Sequence, residues 1–556
     1  MTTVLPDHVL QPPAAVRVPS ARGVDLLAEP VQRPAGPSWL RRHGGTLVLV
    51  ALLAVITAVH ATGATRWPGF GDDEGTYVAQ AWAVLNGQGL THYTYWYDHP
   101  PLGWLQLAGL RGLAGPFLQD LPAVAAGRVL MLVPLVASCA FLWLWARRLG
   151  LRVPAAALAV VLLGLSPLSV AFLRGVYLDT IALPWVLAAF ALAATRRGRL
   201  WSYAGSGACF AVAVLTKETM LLLLPALLLQ LWQTCDRRTR AFCVTAFGSL
   251  LTAVGLAYPL YAVLKGELFP GPDHVSLFAA VGFQLSGRAS TGSPLDPSSA
   301  GAGLVAGWLA LDPWLLAFGV LAAPTALLVR RFRPVAVAVI LLVVVGARPG
   351  YLPQPYVVAL LGMCALLAAG LADLAVGPLR TAMAGRSRGA LLRPVLALLV
   401  IGALAAAVAP DWGRGLKTAT TTDANAAGRQ ATDFLVGQVD PRARVLVDDT
   451  YYVDLVEAGF QPQFGVVWFY KLDLEAGLDP SVAERLPRGW REFDYVVSSP
   501  SMRTALAQQP DGLAEVRNAL ESSAPVEVFG TGEGRVEVRR VVGPDTGSGV
   551  LAGAAP

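Results

Sequence analysis

A polytopic α-helical membrane protein of about 11 spans, with a small C-terminal α/β domain outside the cytoplasm, is the fold class that three features of the sequence predict. Apolar runs recur along the first 410 residues, every second connection between them is rich in arginine, and the chain changes character after Pro410. The composition agrees: 55% of the 556 residues are hydrophobic and 14% charged, with a mean hydropathy of +0.54. Soluble domains carry about a quarter charged residues, so this deficit calls for an apolar solvent. The net charge of +6 is small; its distribution carries the information.

The runs are Thr46–Val59, Val129–Ala146, Pro154–Leu173, Thr180–Ala194, Tyr203–Leu215, Met220–Leu231, Ala241–Leu264, Pro313–Val329, Val335–Val345, Tyr356–Ala375 and Val395–Ala409. Several are shorter than the ~20 residues of a spanning helix, so their polar ends belong in the interface. Arginines cluster before the first run (Arg41, Arg42) and after the second (Arg147, Arg148, Arg152), fourth (Arg196, Arg197, Arg199), sixth (Arg237, Arg238, Arg240) and eighth (Arg330, Arg331, Arg333). Arg380, Arg386, Arg388 and Arg393 lie between the tenth and eleventh. Under the positive-inside rule these connections are cytoplasmic, which puts the N-terminus inside and the C-terminal domain outside a multi-pass cell-membrane protein.

The expected domains are a disordered cytoplasmic tail (1–44), a multi-span domain (45–410) with a first outer loop at 61–128, an extracytoplasmic α/β domain (411–542) and a flexible end (543–556). The first apolar run starts too far from Met1 for a cleaved signal peptide. In the tail, "RVLVDD" and "FDYVVSS" read as short buried strands, "SMRTALAQQ" and "LAEVRNALESS" as helices, and "GRVEVRRVV" as a closing strand. The five cysteines (Cys139, Cys209, Cys235, Cys243, Cys364) lie in or beside apolar runs without a CxxC pair and read as small buried hydrophobes. No internal repeat is visible, which weighs against an inverted-repeat transporter.

Residues able to do chemistry fall on the outer side. "GFGDDEGTYVAQAW" opens a helix with Asp72, Asp73 and Glu74. Acids there cap free N–H groups, which needs only one of them; three crowd like charge, which suits a base. Spacing alone leaves both readings open. The loop continues through His92, Tyr93, Tyr95, Trp96, Tyr97, Asp98 and His99 to Pro100–Pro101. Its aromatics could form an interfacial belt or stack on a sugar, and Asp98 with His99 is a weak metal signal, so no cofactor is expected. Arg174 and Asp179 bracket the turn between the third and fourth runs; Lys217 and Glu218 join the fifth and sixth; Arg348 and Tyr351 join the ninth and tenth. Cations at headgroup depth suit a lipid-linked phosphate, and acids beside them suit activation of a hydroxyl. No phosphate loop or nucleotide fold is present, so the partners read as lipids rather than nucleic acid or a nucleotide sugar.

The stretch "DDEGTYVAQAWAVLNGQG…YDHPPLGWL" resembles the first outer loop of GT-C glycosyltransferases, in the protein O-mannosyltransferase and aminoarabinose-transferase-like branch (glycosyltransferase family 39-like). The matching positions are Asp73, Glu74, Tyr77 and Pro100–Leu102; "YLDTIALPW" and "LTKETM" resemble the branch's fourth-span acid and its lysine after the fifth span. The layout covers roughly residues 45–375. The resemblance implies transfer, with inversion, of a hexosyl or pentosyl unit from a polyprenyl-phosphate sugar to an extracytoplasmic acceptor of the cell envelope. It implies Asp73, Glu74, Asp72 and Asp179 as the catalytic acids and Lys217, Arg174 and Arg348 as donor-phosphate ligands. Tyr77, Tyr97, Asp98, His99 and Tyr351 would hold sugar or acceptor. Asp72 is an extra acid, so either Asp could be the base, and the α/β tail is not general to the branch. The alternatives are a polyprenyl-lipid flippase and a membrane scaffold or sensor working through its tail. Convergence of Asp73, Asp179 and Lys217 separates the enzyme from both.

Overall fold

The computed structural model describes residues 39–90, 97–195, 199–271, 276–377, 388–473 and 484–542. The expected disordered tail as far as residue 38, the end at 543–556, the loop residues His92, Tyr93, Tyr95 and Trp96, and Arg196, Arg197, Arg380 and Arg386 lie outside them. The described residues from Val48 onward form one compact unit.

The chain is mostly helical. The first helices are α1 (Trp39–Ala61), α2 (Asp72–Leu85), α3 (Leu102–Ala114), α4 (Ala123–Leu130), α5 (Leu132–Arg148), α6 (Val153–Leu165), α7 (Pro167–Arg174), α8 (Leu178–Ala193) and α9 (Leu200–Thr216). Then come α10 (Leu224–Thr234), α11 (Arg240–Gly255), α12 (Ala257–Leu264), α13 (Leu277–Gly282), α14 (Ala300–Leu311), α15 (Pro313–Ala326), α16 (Arg333–Ala347), α17 (Val357–Val376) and α18 (Arg388–Thr421). All eleven apolar runs fall on helical segments. Among the described residues, five helices are long and apolar enough to cross a membrane, and seven spans result if the bent pairs α6–α7 (61°) and α14–α15 (108°) each count as one. α8 and α9, at 16 and 17 residues, are shorter than a straight crossing needs. The apolar helix α14 lies between the seventh and eighth runs, where the sequence predicted no span.

Both bends have the same local cause. Pro167 and Pro313 occupy the first turns of α7 and α15, where a missing N–H costs nothing but the preceding helix cannot continue. Ser166 and Asp312 cap them: Asp312 Oδ1 accepts from the Trp314 and Leu315 N–H groups at 2.9 and 3.3 Å. The Ser166 hydroxyl donates to Asp312 Oδ2 at 2.5 Å, joining the two breaks in the interior. α17 is largely buried and packs on α15, α6 and α16. Gly319 and Gly207 allow the closest crossings: an added Cβ would lie 2.2 Å from Cys364 Cβ and 2.1 Å from the Phe247 carbonyl oxygen.

The C-terminal part continues from α18 with α19 (Ala426–Gln438), β1 (Val445–Val447), α20 (Asp449–Glu457), β2 (Val466–Trp468), α21 (Phe469–Asp473), β3 (Tyr495–Ser498), α22 (Pro500–Gln508), α23 (Ala514–Glu521), β4 (Ser523–Phe529) and β5 (Val536–Val541). The sheet order is β2-β1-β3-β5-β4, parallel across β2-β1-β3 and antiparallel across β3-β5-β4. The three strands and two helices expected from sequence are present; β2 and β4 were not expected. β2 has only three residues, and β4 carries Pro525 beside a register shift on the sheet edge, where proline is tolerated.

This domain grips the first outer loop. Asn425 accepts from the Phe70 N–H at 2.9 Å and donates to the Thr65 and Pro68 carbonyls. Asp449 Oδ2 accepts from the Thr76 N–H and hydroxyl at 2.7 and 2.6 Å. Gly75 lies so close to α20 that an added Cβ would stand 2.3 Å from the Thr450 nitrogen. Asp454 accepts from the Ala123 N–H at 2.7 Å. Burial pushes the Asp454 carboxyl up to about 6; the Ala123 N–H opposes this and the Glu457 charge adds to it. The neutral acid therefore favours the folded state. That contribution is full below the unfolded value near 4 and is lost as pH rises through 6. Asp454→Asn should flatten the pH dependence of domain stability between about pH 4 and pH 7. Thermal unfolding in detergent checks it; an unchanged pH slope would remove Asp454 as its source.

Candidate active site

The acids that open α2 go to different places. Gly71 caps the helix, and its N–H donates to Glu74 Oε1 at 3.0 Å. Glu74 is fully buried and paired with the fully buried Arg128, whose Nε donates to Glu74 Oε2 at 2.8 Å and whose Nη2 donates to Oε1. The remaining guanidinium hydrogens reach the carbonyls of Ala64, Pro68 and Gly69, and the Val176 N–H completes Glu74 at 2.9 Å. Every acceptor position of Glu74 is thus engaged in tying α2 to α4, to residues 64–69 and to the turn before α8. The expectation of Glu74 as a catalytic acid is corrected: it is drawn inward by Arg128, so the triplet does not present three like charges on one side. The Asp72 side chain lies outside the described residues. Asp73 is half-buried.

Asp73 faces a second group. The Lys217 ammonium sits in the field of Glu218, Asp179, Asp73 and Asp98, which outweighs its burial and holds its pKa above the ordinary lysine value. Lys217 is 3% exposed and His99 6%. Lys217 Nζ lies 3.0 Å from His99 Nε2, and His99 Nδ1 lies 3.1 Å from Glu218 Oε2. This spacing suits a neutral imidazole that accepts from the ammonium and donates to the carboxylate. Asp179, in the first turn of α8, is 1% exposed, and its Oδ2 has no hydrogen-bond partner among the described residues. A buried acceptor left open in a charged cluster marks a place where a ligand group can bind. Tyr77, one turn after Asp73, is buried with its ring 6.3 Å from that of His99. Burial first, then Asp73, Asp98, Asp179 and Glu218, raise its hydroxyl pKa well above the usual value. The cluster opens outward through Asp98 and Glu218, whose side chains are 32% and 39% exposed.

Tyr258, Glu267, Gln284 and Arg288 complete the group. Gln284 donates to the Asp98 carbonyl at 3.2 Å and to its carboxylate, and Arg288 Nη1 donates to Gln284 Oε1 at 2.9 Å. The Arg288 guanidinium lies 4.1 Å from the Tyr351 ring centroid, and Tyr351 feels Asp73, Lys217 and Asp98. Tyr258 donates to the His99 carbonyl at 3.3 Å, and the Tyr97 hydroxyl donates to Glu267. Tyr97 adopts φ of 65°, a strained value for a bulky residue, and its side chain is turned toward Glu267.

Asp73, Asp179 and Lys217 therefore converge, with Tyr77, Asp98, His99 and Tyr351. Arg174 does not join them. Its guanidinium donates to the carbonyls of Ala419, Val59, Thr62 and Trp67 at 2.7, 2.6, 2.7 and 3.2 Å. The expected phosphate ligand is a buried clamp on the end of α1 and on α18. Arg348 is exposed at the margin; its charge reaches Tyr356, which Asp179 also reaches. Glu218 and Arg288 were not among the expected site residues. Lys217 was found as a charge in a short connection between two apolar runs; Arg288 lies in a longer stretch, where that signal is absent. Among the described residues no group of three His, Cys, Asp or Glu side chains is arranged to hold a metal ion.

Residues 98–261 match the model of the dolichyl-phosphate-mannose-protein mannosyltransferase family. No curated protein sequence matches the chain. The fold is similar to that of ArnT from Cupriavidus metallidurans bound to undecaprenyl phosphate, with 18% identity over 90% of this chain and 99% of that one and a TM-score of 0.54. It is also similar to the oligosaccharyltransferase AglB from Archaeoglobus fulgidus, solved with an inhibitory peptide and a dolichol-phosphate, with 13% identity over 90% and 74% of the chains and a TM-score of 0.51. The chain thus shares its fold with ArnT and AglB, and residues 98–261 carry the segment that matches the mannosyltransferase family model.

Glu74→Gln leaves the Arg128 charge buried with a neutral partner. It should cost about 3–5 kcal/mol of stability, read as a large fall in the detergent unfolding temperature. A variant as stable as the parent but inactive would return Glu74 to the chemistry.

Proposed function

We propose that the protein is a membrane glycosyltransferase that moves a sugar from a polyprenyl-phosphate donor to an acceptor hydroxyl on the extracytoplasmic face, with inversion at the anomeric carbon. The observation that carries this reading is the meeting of Asp73, Asp179 and Lys217, drawn from three separate connections, in one outward-opening cluster. In a flippase, charged groups are expected near mid-membrane with repeat symmetry, and a scaffold leaves this buried charge cluster without a purpose.

In the proposed step the acceptor oxygen forms a bond to the sugar's anomeric carbon as the bond from that carbon to the phosphate oxygen breaks. The Asp73 carboxylate takes the hydroxyl proton. The polyprenyl phosphate leaves with a growing negative charge that Lys217 and Arg288 meet. His99 bridges the lysine and Glu218, so the ammonium is positioned before the donor arrives. Asp179, with its open carboxylate oxygen, suits a sugar hydroxyl. The likeness to ArnT and AglB, both solved with a polyprenyl phosphate, supports a donor of that class. The orientation rests on the arginine distribution, which puts the cluster outside.

Asp73→Asn should lower transfer by about 10²-fold or more with insertion and unfolding temperature unchanged, as expected for loss of a general base. Reconstituted transfer from a polyprenyl-phosphate sugar checks this, and near-parent activity would remove Asp73 as the base. Lys217→Ala should weaken binding of undecaprenyl phosphate by about 10-fold or more, as for loss of a charge-assisted contact. Unchanged lipid-phosphate affinity would exclude Lys217 from the donor site.

A further inference from the structure

A cavity of about 600 Å³ lies between the helices and the outer domain. One wall is apolar, with Phe172, Leu304 and Trp308; the facing wall is α22, with Ser501, Thr504 and Gln508. Asp73, Asp179 and Lys217 do not line it, yet three of its lining segments lead straight to the cluster. Gly71 precedes Asp73 by two residues, Tyr177 precedes Asp179 by two, and Gln354 follows Tyr351 by three. Two residues of extended chain span at most about 7 Å and three about 11 Å, so the cavity adjoins the charged group.

Its chemistry is the opposite of the cluster's. No charged side chain lines it among the described residues. An anion seated there would lose its water without gaining a counter-ion. The polar lining consists of hydroxyls and amides, which donate and accept, and the rest is aromatic or aliphatic. Trp308 is 5% exposed, and its indole N–H finds no acceptor among the described residues. A buried donor of this kind is satisfied by a ligand oxygen. Aromatic rings beside hydroxyls and amides match a neutral carbohydrate, whose C–H faces lie on rings while its hydroxyls bond to the polar wall. The apolar wall suits a hydrocarbon anchor on the same molecule.

We propose that this cavity is the acceptor subsite and that it takes an uncharged glycan carried on an apolar anchor. The proposal rests on the glycosyltransferase reading, which it deepens by naming the acceptor class. The donor phosphate and the acceptor then use separate surfaces, one charged and one neutral, that meet at Asp73.

The test uses the full chain in lipid nanodiscs. The probes are an alkyl glucoside with a photoreactive diazirine in its chain and the same glucoside phosphorylated at the sugar. Labelled peptides are mapped by mass spectrometry. The neutral probe should label residues 304–311 or 500–508 saturably, at about tenfold lower concentration than the phosphorylated one. Thr504→Trp fills the cavity from an exposed helix position and should cut labelling about tenfold with an unchanged unfolding temperature. Trp308→Phe keeps the ring, removes the N–H, and should weaken labelling several-fold. Equal labelling by both probes, labelling confined to other peptides, or labelling indifferent to Thr504→Trp would overturn the subsite. No donor or turnover is involved, so such a failure leaves the donor chemistry standing. Conversely, loss of undecaprenyl phosphate binding in Lys217→Ala should leave labelling intact; loss of labelling in that variant would count against a separate subsite.

Discussion

Arg128 and Glu74 hold together what would otherwise be four loose pieces of outer chain. An isolated buried guanidinium or carboxylate is costly, and neither is stable here without the other. Because the pair also consumes the carbonyls of Ala64, Pro68 and Gly69 and the N–H groups of Gly71 and Val176, its partners cannot drift without leaving a charge unmet. Those partners lead into the start of α2 and the start of α8, which carry Asp73 and Asp179. The distance between the two acids is therefore set by an ion pair that does not itself face the cluster.

The outer domain adds a second restraint. Asp449 engages Thr76 one turn into α2, and Asn425 engages residues 65–70 just before it. The helix that presents Asp73 is thus held by Arg128 of α4 and by the C-terminal sheet domain. On the far side of the cluster, Gln284 and Tyr258 fix Asp98 and His99 through their backbone and side-chain oxygens. A preorganised group of this sort reduces the rearrangement needed when a charged ligand arrives.

The helices were legible because an apolar solvent demands long apolar runs and the arginine clusters mark alternate ends. The bends at Pro167 and Pro313 were less so, since a proline in an apolar run reads as a boundary or a kink alike. β4 escaped because it carries a proline, and β2 because its three residues run straight into α21 without a turn signal. At the site, Asp73, Asp179 and Lys217 could be picked out as charges that a membrane surface tolerates only with a purpose. The same rule misjudged Arg174, whose partners are backbone carbonyls and leave no trace in the side-chain pattern. Glu74 was misjudged alongside Asp73 because the direction in which each carboxylate turns depends on Arg128, 54 residues away. The hydrogen-bond path from Arg288 to Asp98 runs through Gln284, a tertiary relation that spacing does not reveal.

The hydrogen bond between Ser166 and Asp312 has a mechanical meaning. Each residue sits at the elbow of a broken helix, and each would by itself be a pivot. Fastened to one another, the two elbows form a single joint: α14 cannot swing on Asp312 without pulling on the start of α7, and through α7 on the turn that leads to Asp179. A push from the lipid on α14 would thus be transmitted along a lever to the acid, rather than absorbed where it lands.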